Sequence, residues 1–113
     1  MEQLTVKTFY GEEKVTISTG LYNDGTIAIE LWCDEGPFAD LTVCLDLFKK
    51  KADKEGATRM GLGVVDINNC PWAPEFIKKY ELGTNTGLVK QSGFVVYPIW
   101  AFDLERIKKL SEN

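Results

Sequence analysis

The sequence predicts an α+β fold, a mainly antiparallel twisted sheet of about five to six strands with two helices packed against it. Apolar and polar residues alternate through the first half, short turn motifs separate these runs, and two helical segments with recognisable ends follow. Short turns between alternating strands favour an antiparallel meander with one buried face. The length of 113 residues and the hydrophobic fraction of 44% fit a single domain over residues 1–113.

The first strands follow from this alternation. Side chains at every second position are apolar or threonine in residues 4–8 and again in residues 15–21. A turn at residues 23–25 (Asn-Asp-Gly) favours a tight hairpin into the next run, residues 27–33, in which Trp32 lies on the face opposite the apolar row. A second turn and a further alternating run are predicted at residues 34–37 and 41–45.

A charge-dense segment from residue 47 to residue 61 interrupts the alternation. It fits a short helix or an exposed loop, and we interpret it as a solvated connector. Residues 64–67 then predict another strand, in which Asp66 is expected to cap backbone amides of the following turn. The sequence Gly61-Leu62-Gly63 indicates a turn into this strand, because it lacks the third glycine and the Lys-Ser/Thr pair of a phosphate-binding loop.

Two helices are predicted in the second half. The first begins near Pro74, which fits the N1 position, and ends before Gly83, a suitable C′ residue. The last begins after Asp103 as its N-cap. Between them, residues 94–101 are apolar on both faces and predict a buried strand. Pro98 requires a bulge or an edge position there, because proline cannot donate to a strand ladder.

The charge is unevenly distributed. Residues 1–48 carry two basic and nine acidic side chains (2 − 9 = −7), whereas residues 49–60 carry five basic and two acidic ones (5 − 2 = +3). An acidic surface disfavours direct binding of nucleic acid, which depends on neutralising phosphates. It suits a basic protein partner, or it only keeps the protein in solution.

The sequence contains no histidine. This removes the commonest general base, the Ser-His and Cys-His pairs and every zinc site that uses histidine. The three cysteines form no C-x-x-C pair, and we expect buried thiols, no catalytic residue, no cofactor and no metal site. One alternative stays open: a small cysteine-dependent metalloprotein or enzyme organised around Cys70, within the segment NNCPWAPEFIKKYELG.

The expected partner-binding surface consists of acidic turns and one exposed tryptophan, because tryptophan is enriched at interface hot spots and carboxylates attract basic partners. The basic stretch from Lys49 to Lys54 is a rival contact surface. The predicted site residues are Glu12, Glu13, Asp24, Trp32, Asp34 and Glu35.

Three segments of the chain resemble an uncharacterised family of small proteins, catalogued as a domain of unknown function. They are LWCDEGPFADLTVCL, NNCPWAPEFIKKYELG and QSGFVVYPIWAFDLERI. The family is found on conjugative elements and phages of Firmicutes and other gut bacteria, and the resemblance runs from about the second strand onward. The chain departs from the family around KKKADKEGATRM. No catalytic residue is carried over from the family.

The resemblance implies the context of a mobile element, in which small, acidic, histidine-free proteins are often accessory factors. From that context we expect a non-catalytic accessory protein that acts by binding another protein. We expect an anti-CRISPR-like inhibitor that binds a basic nuclease such as a CRISPR effector, with a conjugation or regulatory factor of the element as an alternative. No segment approaches the length of about 20 apolar residues that a membrane span requires, and the N-terminus does not resemble a signal peptide. We therefore expect no membrane partner and a location in the cytoplasm of the host bacterial cell.

Overall fold

Two antiparallel sheets of four strands each and three helices make up the described residues, 2–48 and 51–112, in a computed structural model of the chain. The sheet orders are β1-β2-β3-β4 and β5-β6-β8-β7. In chain order the elements are β1 (Leu4–Thr8), β2 (Gly11–Leu21), β3 (Ile27–Cys33), β4 (Gly36–Asp40), β5 (Thr42–Val43), α1 (Lys51–Met60), β6 (Leu62–Val65), α2 (Ala73–Lys79), β7 (Gly83–Ser92), β8 (Val95–Phe102) and α3 (Leu104–Glu112).

The first sheet confirms the predicted alternation. Val15 and Ile17 of β2 and Ile29 and Leu31 of β3 are all at most 2% exposed, while their neighbours face the other side. The expectation of one sheet is wrong, however, because the chain leaves the first sheet after β4. Thr42 then pairs with Val65 of β6 and starts the second sheet.

The expectation of two helices is also wrong, because α1 forms within the segment that we interpreted as a solvated connector. Ala57 of α1 is 1% exposed and packs on the second sheet. The hydroxyl of Thr58 donates to the backbone carbonyl of Gly25 at 3.0 Å, and a Cβ atom at Gly25 would lie 2.3 Å from the carbonyl oxygen of Lys54. The helix therefore rests directly on the β2–β3 turn, although its charge density suggested full solvation. Residues 49 and 50 of the predicted connector lie outside the described residues.

In the second sheet, β8 pairs with β6 on one side and with β7 on the other. The β7–β8 register shifts between Asn85 and Val89, and Val89 then pairs with Pro98, which confirms the predicted irregularity at this proline. Only the C-terminal half of the strand is buried. Phe94 lies in the turn of the hairpin and is fully exposed, contrary to the prediction of a buried strand over residues 94–101.

The structure has two hydrophobic cores. The first lies between one face of the first sheet, the helices α2 and α3, and the face of the second sheet that carries Trp100 and Phe102. The second covers the opposite face of the second sheet, where Val64 and Ile99 pack with Ala57. Since side chains alternate along β8, this one strand contributes to both cores.

The ends of the later helices follow recognisable capping rules. Asp103 caps α3 as predicted, since its carboxylate accepts a hydrogen bond from the backbone N–H of Arg106 at 3.1 Å. Helix α2 does not end at Gly83. The N–H of Glu81 donates to the carbonyl of Lys78 and the N–H of Leu82 donates to the carbonyl of Ile77, which is a Schellman motif with Glu81 at C′.

The C′ position of α2 predicts a stabilising substitution. Glu81 has φ of +56°, a left-handed conformation that costs an L-residue about 1 kcal/mol and that glycine adopts freely. We expect Glu81→Gly to raise the unfolding free energy by about 0.5–1 kcal/mol in urea titrations. Lys78→Gly, inside the same helix, is the matched control and should lower it by about 1 kcal/mol. An unchanged or lower stability for Glu81→Gly would contradict this account of the cap.

Candidate functional site

The first sheet brings two acidic hairpin ends together. Antiparallel neighbours reverse direction, so the β1–β2 turn and the β3–β4 turn lie at the same end of the sheet, and the β2–β3 turn lies at the other. Five of the six predicted site residues lie at or next to the shared end, and all five are exposed. We call this surface the acidic end: Glu12, Glu13, Trp32, Asp34 and Glu35.

Asp24, the sixth predicted residue, does not belong to this surface. It lies in the turn at the opposite end, is 0% exposed, and cannot contact a partner there. Its carboxylate accepts hydrogen bonds from the backbone N–H and the hydroxyl of Thr26, at 3.0 and 2.6 Å, and from the backbone N–H of Leu47 at 3.0 Å. The prediction for Asp24 is therefore corrected: this carboxylate ties the segment after β5 to the turn.

A cavity of about 460 Å³ opens at the acidic end, between the β1–β2 turn and the segment that enters α2. Its aromatic side chains come from three separate parts of the chain, and two of the predicted carboxylates lie on its rim. We call it the aromatic cleft, lined by Phe9, Tyr10, Glu12, Glu13, Phe38 and Trp72 together with smaller contributions from Thr8, Gly11, Asn69 and Pro71.

The outer wall of the cleft is the β1–β2 turn. Phe9 and Tyr10 are 96% and 95% exposed, with their rings edge to face at 5.5 Å between centroids. The hydroxyl of Thr8 accepts a hydrogen bond from the N–H of Tyr10 and donates to the carbonyl of Gly11, both at 3.1 Å. The turn is thus closed by its own hydrogen bonds, and neither ring is used for packing against the body.

The inner wall is positioned by Asp66, which confirms its predicted role as a turn cap. Its carboxylate accepts hydrogen bonds from the backbone N–H of Asn69 at 3.2 Å and from its side-chain amide at 2.9 Å. The backbone carbonyl of Asp66 accepts a hydrogen bond from the N–H of Cys70 at 2.8 Å. These bonds fix the corner that carries Trp72 into the cleft.

A row of aromatic rings then holds Trp72 in place. Its ring lies 6.1 Å from Phe38 and 5.8 Å from Phe76, and Phe76 lies 5.2 Å from Tyr80. The row ends where the backbone N–H of Thr5, on the edge strand β1, donates to the Tyr80 hydroxyl at 2.7 Å. The inner wall is therefore preorganised by the core, in contrast to the exposed outer wall.

Trp32 marks the second part of the acidic end, on the outer face of the first sheet. It is 39% exposed and pairs across strands with Thr16 and Pro37. On the same face Glu30 lies directly opposite Asp40, and both are exposed. Like charges in a cross-strand pair are unfavourable, so a cationic group bound here would relieve repulsion.

Cys70 lacks the properties of a reactive thiol. It is 2% exposed, and its sulfur lies 3.6 Å from the carbonyl oxygen of Asp40. Burial first, and then the negative charges of Asp66 and Asp40, raise the pKa of the Cys70 thiol to about 11, so it is protonated at neutral pH. Cys44, by contrast, is exposed, contrary to the expectation of three buried thiols.

Within residues 2–48 and 51–112, no three Cys, Asp or Glu side chains are grouped closely enough to hold a metal ion.

The rival basic surface lies at the far end of the first sheet. There Lys54 and Arg59 of α1 line a separate cavity of about 460 Å³ beside Tyr22. Lys49 and Lys50 lie outside the described residues.

The sequence did not single out the aromatic walls. Phe9 and Tyr10 precede a glycine and two glutamates in the turn FYGEE, and two aromatic residues at the tip of a hairpin are a usable signal for a binding surface. The contact between Phe38 and Trp72 was not predictable, because it depends on how the corner after β6 folds back onto β4.

Comparison with known proteins places the chain in a family. A family model described as a domain of unknown function, DUF4313, matches residues 16–113, and the chain therefore belongs to this family. No curated protein and no solved structure matches the chain. No helix among the described residues has the length and apolar character needed to cross a membrane.

The state of Cys70 predicts how stability depends on pH. The pKa of this thiol is higher in the folded protein than the ordinary value of 9.0, so its stabilising contribution is complete below about pH 9 and is lost as the pH rises toward about 11. We expect the unfolding free energy of the native chain to fall more steeply from pH 9 to pH 11 than that of the Cys70→Ala control.

Thiol labelling gives an independent check on the same residue. At pH 8 a water-soluble disulfide reagent should modify Cys44 in the folded protein, and Cys70 only after unfolding. Equal labelling rates for the two thiols in the folded protein would contradict the protected state of Cys70.

Proposed function

We propose that this member of the DUF4313 family is a non-catalytic accessory protein of a mobile genetic element, found in the cytoplasm of the host bacterium. It acts by binding another protein, and the partner is a basic host defence nuclease such as a CRISPR effector. The observation that carries the proposal is the acidic end, where carboxylates from two hairpins lie beside exposed aromatic rings.

Charge supports a basic partner. Residues 1–48, with a net charge of −7 (2 − 9), include the whole first sheet. Nuclease channels that hold nucleic acid are strongly positive, and an acidic surface complements them in both steering and specificity. Inhibition would follow from occupying the channel, with no bond made or broken.

The exposed aromatic rings support a protein contact in particular. Phe9, Tyr10 and Trp32 are exposed side chains of the kind that supplies most of the binding energy at protein interfaces. Phe9 and Tyr10 precede Glu12 and Glu13 in the chain, and Trp32 precedes Asp34 and Glu35, so each exposed aromatic site has carboxylates next to it. Exposed aromatic rings do not increase solubility, so a surface that served solubility alone would not require the exposed rings of Phe9 and Tyr10.

Two observations favour binding over catalysis. The chain has no histidine, and the most deeply buried of its cysteines is held as a protonated thiol. The alternative of a cysteine-dependent enzyme or metalloprotein therefore lacks an activated group at Cys70.

The context of a mobile element comes from the family resemblance in the three sequence segments. A conjugation or regulatory factor shares that context and would use the same surface on a different partner. The identity of the captured protein separates the two roles.

Charge reversal at the β3–β4 turn tests the proposal. The tagged chain is used to capture proteins from a host that carries defence systems, and the captured nuclease is assayed for cleavage with and without the chain. We expect Asp34→Lys with Glu35→Lys to weaken binding and inhibition at least about tenfold, because like charges facing a basic channel cost several kcal/mol.

The control carries the same charge change elsewhere. Glu2 and Glu105 are exposed and belong neither to the acidic end nor to the rival basic surface, since Glu2 precedes β1 and Glu105 lies on α3. Reversing both to lysine should leave inhibition within about twofold of the native chain, since exposed charges distant from a contact are screened. Equal inhibition by both double variants would show that the acidic end does not contact the partner. Loss of inhibition only on reversing lysines of α1 would instead favour the basic surface.

A further inference from the structure

We infer that the aromatic cleft is a receptor for an arginine side chain presented by a basic segment of the protein partner. This inference rests on the proposed function and adds to it the chemical group that is recognised. It follows from the two aromatic walls, the carboxylates on the rim and the size of the cavity.

The walls provide faces for a planar cation. Tyr10 approaches from the β1–β2 turn and Trp72 from the corner before α2, with Phe38 behind Trp72. Cations bind over the faces of tryptophan and tyrosine rings, and tryptophan is the strongest of the aromatic side chains in this role. Because Trp72 is held by its neighbours, little side-chain entropy is lost when a ligand stacks on it.

The rim supplies the countercharge. Glu12 and Glu13 line the cleft, and no lysine or arginine is among the described residues that line it. Lys7 lies directly opposite Glu12 in the β1–β2 register, whereas Glu13 lies opposite Val6, so Glu13 is the carboxylate with no basic residue across the strand pair. A guanidinium can donate hydrogen bonds to a carboxylate while its flat face stacks on a ring, whereas the ammonium of lysine is a strongly hydrated point charge. The combination of rings and carboxylates therefore favours arginine over lysine.

The same features disfavour other occupants. A nucleobase could stack between the rings, but its phosphates would face Glu13, and no basic residue is among the described residues that line the cleft. A purely apolar segment would desolvate the Glu13 carboxylate without offering it a partner. The volume of about 460 Å³ accommodates an arginine with the adjoining peptide and lies within the range of ligand pockets.

The three tryptophans provide a direct experiment, because each reports a different place. Trp72 lines the cleft, Trp32 lies on the outer face near Asp34 and Glu35, and Trp100 is 2% exposed in the first core. Their indole N–H signals are followed by NMR in the full chain while a short Gly/Ser peptide bearing arginines is added. Lysine and glutamate versions of the same peptide are the ligand controls.

We expect the arginine peptide to shift the Trp72 signal in a saturable way, with Trp100 unmoved, and to bind at least about threefold more tightly than the lysine peptide. The glutamate peptide should not bind. Tyr10→Ser should weaken binding of the arginine peptide about fivefold, since it removes one cation–π contact at an exposed site. Phe94→Ser is the matched control, an equally exposed ring at the β7–β8 turn, and should have no effect.

The peptide titration tests the cleft independently of the proposed function. A shift of Trp32 without a shift of Trp72, or equal affinities for the arginine and lysine peptides, would overturn the assignment of the cleft. Neither result would affect the inhibition assay with the Asp34 and Glu35 variants. Retained affinity in Tyr10→Ser would equally overturn the cleft, because this exposed residue can be changed without disturbing the fold.

Discussion

The reversal of chain direction at each hairpin of the first sheet is the constraint on which the candidate site depends. It places residues 12–13 and 34–35, far apart in the sequence, at one end of the molecule. Apolar side chains at alternate positions of these strands are buried, and they fix the register of the sheet. A slip of one residue would turn Val15 and Leu31 outward. The energy that holds the acidic end together thus comes from apolar burial elsewhere, and the carboxylates are left free for contact.

Acidic residues in this chain have two separate roles. Asp24 and Asp66 are buried and accept hydrogen bonds from nearby backbone amides, so each organises a local chain reversal. The carboxylates at the acidic end are solvated and stand beside exposed rings. Asp66 links the two roles, because the corner that it caps positions Trp72 against Phe38 and so forms the inner wall of the cleft.

The sequence predicted the strands β1 to β3 and the cap at Asp103, because alternation and turn chemistry are local signals. It did not predict β7, whose mainly polar segment GTNTGLVKQS pairs with β8 on an open edge. It also did not predict α1, where one buried alanine among charged residues decides the packing. The exposure of Asp24 was predicted wrongly for a related reason. A turn carboxylate is exposed unless a distant segment covers it, and here α1 and the segment before it cover this turn.

Hydrogen exchange of the chain bound to its captured protein partner is the most direct test of a binding role for the acidic end. We expect amide protection on binding at residues 8–13, 32–38 and 69–72, which form the acidic end and the walls of the cleft. The β7–β8 hairpin and α1 should exchange as they do in the free chain. Protection confined to α1 or to the β7–β8 hairpin, with residues 8–13 and 32–38 unchanged, would contradict the account.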